Sequence, residues 1–317
     1  MRSRQQTGTG PAHSVEVREV HERLLAGASV DSRHLEVADS GRVHLLEKGD
    51  GPPLVLLHGS GTSAGFFLPL LDALHGVRVI APDRPGVGLS DPIDLLRDRY
   101  RATAVAWLDR LLDALELDTI TLAGHSGGGL WALWYALAHP DRVERLVLLD
   151  PPALPGTRCP LPMRLVATPG LGELLSRLAP PSRGSVLRLA SFLGEKATIA
   201  AHPDLVDLLV ALGRDPAADR AATTEYRVLV SPLALVSPSG FRHRARLGPD
   251  ELGRLAAPTL LIWGEHDPLG GAAVARTVAG LIPHARLEVL PTGHVPWLGQ
   301  PGPTAAAITE LMATADG

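Results

Sequence analysis

The chain has 317 residues, of which 45% are apolar, so it is long enough to bury one large hydrophobic core. Its formal net charge of −4 gives no overall attraction to nucleic acid or to an anionic membrane surface. The single cysteine, Cys159, excludes an internal disulfide and a cysteine-based metal site. The first residues lack the apolar stretch of a secretory signal, and no apolar run is long enough for a membrane span. We therefore expect a cytoplasmic protein.

The N-terminal region is predicted to hold a tail, a short helix and a β-hairpin. Residues 1–32 contain a polar tail and a helix that Ser14 can cap, because a serine hydroxyl accepts a backbone N–H of the first turn. Beyond them, Asp39-Ser40-Gly41 separates two stretches of alternating apolar and polar residues, which is the pattern of a β-hairpin. We place the two hairpin strands at 34–37 and 42–47.

Beyond the hairpin, short apolar runs alternate with longer segments of helical periodicity. This alternation is typical of parallel strands joined by helices that cover both faces of a sheet. We predict an α/β fold with a mostly parallel, doubly wound sheet of about eight strands. The remaining strands are predicted at 53–57, 77–81, 119–123, 143–149, 258–263 and 286–290, and the helices at 66–74, 100–115, 130–138, 272–281 and 304–313.

The alternation breaks between 151 and 254, where helical patterns are separated by proline-rich joints and no convincing strand is found. We predict that residues 151–254 form a helical cap inserted into a core built from 33–150 and 255–317. The insertion leaves the sheet at the edge where the strands end, so we expect it to cover that edge and to select the substrate. Two of its patterns carry leucines on one face, and each face is expected partly to pack on the core and partly to line the substrate pocket: Leu171, Leu174, Leu175 and Leu178, and Leu205, Leu208, Leu209 and Leu212.

One glycine-rich motif stands between a predicted strand and a predicted helix. Residues 124–128, GHSGG, fit G-x-S-x-G, a sharp turn that holds its serine in a strained backbone conformation. The turn brings strand and helix so close that the flanking positions must lack side chains, and Gly124 and Gly128 meet this need. Unpaired N–H groups at the helix start lie beside the serine hydroxyl and can stabilise an anion. We predict that Ser126 is a nucleophile; the alternative is a glycine-rich turn with a solvated serine.

A serine hydroxyl needs a base to remove its proton, and the base needs an acid to fix its tautomer. In a parallel sheet, these partners must lie on loops at the same edge as the nucleophile. Asp267 follows the strand that ends at Trp263, and His294 follows the strand that ends at Leu290. We therefore predict that His294 is the base and Asp267 the acid.

The order Ser126, Asp267, His294 along alternating strands and helices resembles the α/β-hydrolase family, and the resemblance extends over residues 33–313. His58-Gly59-Ser60-Gly61 is similar to the oxyanion loop of that family. The resemblance implies that the backbone N–H groups of Ser60 and Gly127 hold the oxyanion. Three more segments match family motifs, namely the loop at 83–91, the acid loop at 264–267 and the histidine loop at 293–296.

Some of these residues have other possible roles. Asp267 could cap the following helix, and Asp150, at the end of the preceding strand, competes with it because some members of the family place the acid there. His58 and His125 flank the predicted site and are interpreted as structural. His58 would order the oxyanion loop, and His125 would pack beside the nucleophile.

The serine nucleophile narrows the chemistry that the resemblance implies. Relatives that open epoxides or displace halide carry an aspartate where this chain has Ser126. Serine favours cleavage of an ester, lactone or thioester through an acyl-enzyme. The runner-up is carbon–carbon bond hydrolysis or cofactor-free perhydrolysis on the same triad. His58-Gly59-Ser60-Gly61 resembles the carbon–carbon hydrolases, but those usually carry asparagine where this chain has His125.

The expected partner is a small-molecule substrate, with no nucleic acid and no membrane, and the sequence leaves the oligomeric state open. No phosphate loop, metal-ligand cluster or dinucleotide fingerprint is found, so we predict no cofactor and no metal. A hypothesis of another class is a non-catalytic ligand receptor built on this fold. The intact set of Ser126, Asp267 and His294 argues against it, because a receptor has no need of a base.

Overall fold

The computed structural model describes residues 13–95, 99–231 and 237–313. Eight strands form one sheet in the order β1-β2-β4-β3-β5-β6-β7-β8. The pairs β1–β2 and β2–β4 are antiparallel, and every other pair is parallel, which confirms the predicted mostly parallel sheet. The strands are β1 (Asp31–Val37), β2 (Gly41–Lys48), β3 (Pro53–Leu57), β4 (Arg78–Pro82), β5 (Ile120–His125), β6 (Val143–Leu149), β7 (Thr259–Gly264) and β8 (Ala285–Leu290).

Helices cover both faces of this sheet, and adjacent residues of a strand therefore serve different halves of the core. In β3, Val55 and Leu57 pack into one hydrophobic cluster, whereas Leu54 and Leu56 pack into the other. Side chains alternate across a strand, so a strand buried on both faces is expected to be apolar at most positions rather than at every second one. The core helices are α1 (Val15–Leu25), α2 (Leu68–Ala73), α3 (Tyr100–Ala114), α4 (Gly127–Ala138), α12 (Ala272–Ala279), α13 (Pro296–Gly299) and α14 (Pro301–Ala313).

The region between β6 and β7 is helical, as expected for an inserted cap. Its helices are α5 (Leu161–Val166), α6 (Leu171–Leu178), α7 (Arg183–Phe192), α8 (Lys196–Ala200), α9 (Pro203–Arg214), α10 (Pro216–Leu229) and α11 (Pro249–Leu252). The bounds of the cap at 151 and 254 stay a prediction. Across the described ranges, no helix has the length and apolar character needed to cross a membrane.

The expected burial of both leucine faces in the cap is wrong for one helix. Leu208 of α9 is fully buried against the core cluster that contains α2, and Leu205 and Leu212 join it there. In α6, by contrast, Leu174 and Leu178 are 50% and 74% exposed. Neither leucine belongs to a hydrophobic core cluster, and the helix that α6 contacts most is the short α5.

Candidate active site

Ser126 lies in the turn between β5 and α4, and its backbone is in the left-handed region with φ +49°. A Cβ at Gly124 would collide with the Gly128 carbonyl, and a Cβ at Gly128 would collide with the Leu57 carbonyl. The absence of side chains thus lets strand and helix approach as the motif predicts. Because α4 begins at Gly127, directly after Ser126, its first N–H groups have no acceptor within the helix.

His294 reaches Ser126 from the loop after β8. Its Nε2 lies 3.0 Å from Ser126 Oγ, within hydrogen-bond distance. His294 as a whole residue is 5% exposed, and its backbone N–H donates to the carbonyl of Leu193 in the cap at 3.0 Å. The cap therefore helps to hold the imidazole beside the serine. This geometry is what a base needs to accept the hydroxyl proton.

Asp267 lies in the loop after β7, on the far side of the imidazole from Ser126. Its Oδ1 is 3.1 Å from His294 Nδ1, close enough for an ion pair, although the ring N–H does not point along this line. The same oxygen accepts the backbone N–H of Leu269 at 2.9 Å. Such contacts are often poorly aligned without substrate and tighten in the complex. The structure thus brings Ser126, His294 and Asp267 together.

Asp150, the competing acid, lies next to Asp267 and not on the imidazole. Its Oδ1 accepts the backbone N–H of Gly264 at 3.0 Å, and its backbone has φ +46°. Burial raises the pKa of Asp150 well above its usual range, and the negative charge of Asp267 raises it further. Of the two carboxyl groups, it is that of Asp267 that contacts His294.

Ser60 and Gly127, the predicted oxyanion donors, lie side by side. A Cβ added to Gly127 would collide with Ser60 Oγ, so the Ser60 side chain lies directly against Gly127. The assignment of their two backbone N–H groups to the oxyanion stays a prediction. His58 holds this loop, since its Nδ1 donates to the Gly59 carbonyl at 2.9 Å and its Nε2 accepts the Arg84 N–H at 2.8 Å. Burial, reinforced by the charge of Arg84, lowers the pKa of His58 to about 4. His58 is therefore neutral at pH 7 and structural.

His125 also supports the site as a neutral ring. Its Nε2 lies 2.9 Å from the backbone carbonyl of His294, and its ring meets that of Trp297 edge to face, with centroids 4.3 Å apart. Burial lowers the pKa of His125 well below its usual range, and His294 lowers it further. A neutral His125 can donate one hydrogen bond, and the His294 carbonyl is the acceptor in reach.

Two buried carboxyl groups from the cap reach the site, and the sequence analysis missed both. Glu195 accepts the backbone N–H of Val295 at 3.2 Å and so fixes the histidine loop. Glu225 of α10 accepts two hydrogen bonds from Arg84, both 2.9 Å, and lies beside the space at Gly127. One signal was available for Glu225, because it lies four residues before the buried Leu229 and so shares its helix face.

Replacing Glu225 with glutamine is expected to lower the free energy of unfolding by about 3 kcal/mol, because Arg84 would remain buried without a counter-charge. Urea unfolding measures this. The matched control is Asp207→Asn, which breaks an Arg183–Asp207 pair on the cap surface and should change stability far less. If the two variants lost the same unfolding free energy, the buried Arg84–Glu225 ion pair would not be a major stabilising contact between core and cap.

Among the described residues, one group of His and carboxyl side chains is spaced closely enough to ligate a metal ion. It is Asp150, Asp267 and His294, whose ligand atoms lie within 4.8 Å of one another. Two of these groups already contact each other, and His294 Nε2 faces Ser126. The expectation of a site without metal or cofactor remains a prediction.

Comparisons with known proteins concern the family and the class of reaction. A family model for the alpha/beta hydrolase fold matches residues 52–299. A 2-hydroxy-6-oxo-6-phenylhexa-2,4-dienoate hydrolase of Burkholderia cepacia is 28% identical over 281 residues, covering 84% of this chain and 91% of that protein. A pimeloyl-[acyl-carrier protein] methyl ester esterase of Shewanella sp. (strain MR-7) is 28% identical over 282 residues, covering 86% of this chain and 95% of that protein.

A solved structure extends the likeness to the fold. The crystal structure of carboxylesterase CesB (YbfK) from Bacillus subtilis matches with a TM-score of 0.72 and covers 95% of this chain and 99% of its own. The two sequences are 22% identical, so this match concerns the fold alone. The activity that the two sequence relatives share is hydrolysis.

Proposed function

Because the chain belongs to the alpha/beta hydrolase fold family, we propose that it is a cofactor-independent serine hydrolase that cleaves an ester, lactone or thioester. The acyl group would be carried on Ser126. The observation that carries the proposal is the 3.0 Å approach of His294 Nε2 to Ser126 Oγ within a strained turn. A solvated serine in a glycine-rich turn needs neither this strain nor this partner.

The proposed reaction has two halves. His294 accepts the hydroxyl proton while Ser126 Oγ bonds to the substrate carbonyl carbon, and the imidazolium then protonates the leaving alkoxide or thiolate. Water attacks the acyl-enzyme with His294 again as base, which releases the acid and restores the serine. Asp267 would stabilise the imidazolium throughout. The N–H groups of Ser60 and Gly127 would bind the oxyanion, and each such donor typically lowers the barrier by about 3 kcal/mol.

The second candidate function is hydrolysis of a carbon–carbon bond on the same triad. It is favoured by the Burkholderia cepacia relative, whose identity to this chain equals that of the methyl ester esterase. The leaving group would then be a carbanion stabilised as an enolate, and the His294 imidazolium would protonate it as it would the alkoxide of an ester. Ester hydrolysis ranks first because carbon–carbon hydrolases usually carry asparagine where this chain has His125, whose Nε2 here lies 2.9 Å from the backbone carbonyl of His294. Perhydrolysis, with peroxide in place of water, uses the same acyl-enzyme.

A panel of p-nitrophenyl esters of graded chain length, assayed beside vinylogous diketones, tests the substrate class. We expect turnover of at least one ester series and none of the diketones, with Ser126→Ala as the blank for uncatalysed hydrolysis. Turnover of diketones alone would favour the carbon–carbon reaction. A small-molecule substrate, a cytoplasmic location and the absence of a nucleic-acid partner remain proposals.

A fluorophosphonate probe is expected to label Ser126 in the folded protein, since such probes react with a serine only where a base activates it. Intact-protein mass spectrometry measures the adduct, and peptide mapping locates it. Ser126→Ala is the control and should take up none, although Ser60 remains nearby. If the folded protein stays unlabelled, a ligand receptor without catalysis becomes the better hypothesis.

A further inference from the structure

Two buried carboxyl groups meet behind the imidazole of His294. Asp150 and Asp267 are 1% and 5% exposed, and in each the Oδ1 atom has a partner. Asp150 Oδ1 accepts the Gly264 N–H, and Asp267 Oδ1 accepts the Leu269 N–H and lies beside His294. Their Oδ2 atoms are buried too, yet within the described part of the chain neither finds a hydrogen-bond donor. Buried polar atoms are rarely left unpaired. A proton on one of the two Oδ2 atoms would provide a donor and so allow them to form a hydrogen bond with each other.

We propose that Asp150 carries a proton on Oδ2 and donates it to Asp267 Oδ2, which makes Asp150 a positioning residue for the predicted acid. One carboxylate oxygen of Asp150 lies within 4.8 Å of a carboxylate oxygen of Asp267. One hydrogen bond would then satisfy both orphaned oxygens. The pair would bear one negative charge, that of Asp267. This inference rests on the proposed function, in which Asp267 orients the base.

The surroundings favour the neutral form of Asp150. Burial raises its pKa, and the negative charge of Asp267 adds to the effect. Glu195, from the cap, also raises it, whereas the Gly264 N–H acts in the opposite direction but is outweighed. His294 is the remaining titratable group in the cluster, and its Nδ1 faces Asp267 Oδ1.

A protonated Asp150 would hold Asp267 in the orientation that His294 needs. Asp150 is itself fixed by Gly264, which begins the loop that carries Asp267, and by its left-handed backbone at the end of β6. With Oδ1 of Asp267 on His294 and Oδ2 on Asp150, the carboxylate plane cannot rotate. Loss of the donor would free Asp267 to turn and would leave its Oδ2 buried and unpaired.

Asparagine reproduces this arrangement, and leucine does not. In Asp150→Asn the amide oxygen can accept the Gly264 N–H and the amide N–H can donate to Asp267, so kcat should stay within about threefold of wild type. In Asp150→Leu, which has similar volume and no donor, kcat should fall about 10–100-fold with KM unchanged, the usual effect of removing a supporting hydrogen bond. An asparagine variant as impaired as the leucine variant, or a fully active leucine variant, would overturn the proposal.

Infrared spectroscopy tests the proton without reference to activity or to the stability of the leucine variant. Folded wild-type protein at pH 7 should show the carbonyl stretch of a protonated carboxylic acid, and Asp150→Asn should lack it. An identical spectrum in the two proteins would overturn the proposal. Because this readout does not depend on turnover, it remains valid even if Ser126 proves not to be a nucleophile.

The pH dependence of stability gives a further check. Since the folded pKa of Asp150 is raised above its unfolded value, its contribution to stability is present at low pH. The contribution declines as the pH rises from the ordinary carboxyl range to the raised folded pKa. The unfolding free energy of wild type minus that of Asp150→Asn should therefore fall as the pH rises over this window. A value that rises with pH would mean that the pKa of Asp150 is lowered in the fold and would contradict the proposal.

Discussion

Ser126→Ala is expected to lower kcat by roughly 10⁶-fold, the loss seen when the nucleophile of a Ser–His–Asp enzyme is removed. The substitution removes the one atom that can bond to the substrate carbonyl carbon in the proposed mechanism. Residual catalysis would come from the oxyanion donors and from substrate binding. Initial rates on the best ester of the chain-length panel measure the loss, with single-turnover kinetics where the rate is too low.

The fold should be unaffected by this change, because the Ser126 hydroxyl contributes a single hydrogen bond, to His294. Equal urea midpoints for variant and wild type would establish this. Ser60→Ala is the matched control, since it removes a neighbouring hydroxyl and keeps the backbone N–H assigned to the oxyanion. The decrease in kcat in Ser60→Ala should be far smaller than in Ser126→Ala. Near-wild-type turnover in Ser126→Ala would contradict the assignment of the nucleophile.

The sheet could be predicted from the sequence because its strands carry a strong local signal. β5 and β7 are buried at every position, and β7 is apolar from Leu260 to Trp263. Glycines lie at or next to the last residue of each strand, Gly124 in β5 and Gly264 in β7, and indicate where the strand gives way to a turn. The last helix begins at Pro301, three residues before its predicted start, because a proline at the first turn starts a helix without losing a hydrogen bond.

The cap was harder to predict, since periodicity shows that a helix face is apolar but not what covers it. α6 and α9 have similar leucine spacing, yet Leu178 is 74% exposed and Leu208 is fully buried. The difference lies in tertiary position. α9 packs beside α1 and the turn at Gly65, whereas α6 packs mainly against the short α5. The short helices α5 and α8 cannot be recognised from sequence, because about one and a half turns of helix are too short to show a periodic pattern.

The candidate site also contains residues that the sequence could predict and contacts that it could not. Ser126, Asp267 and His294 could be predicted because each follows a strand at one sheet edge, so topology alone brings them together. Glu225 and Arg84 are 141 positions apart, and no local motif reports their contact. The same holds for Asp150 and Asp267. Sequence reasoning treated these two as rivals for one role, whereas the structure places them as neighbours with different contacts.

Asp267→Asn is expected to lower kcat by about 10⁴-fold, as in other triads, with KM little changed. An amide cannot stabilise the imidazolium that forms as Ser126 loses its proton. If the NH2 group of the introduced amide donates to His294 Nδ1, the ring proton of His294 must lie on Nε2. In that tautomer Nε2 cannot accept the proton of the Ser126 hydroxyl. The pH profile of kcat/KM, which reports the free enzyme, should change along with the rate.

Asp150→Asn is the matched comparison, because it makes the same chemical change in the neighbouring carboxyl group. A large loss at Asp267 and a small one at Asp150 would support the roles inferred from their contacts. The reverse result would place the acid at Asp150, the alternative that the sequence left open. Equal and large losses would mean that both carboxyl groups must be able to ionise, which the burial of two negative charges so close together argues against.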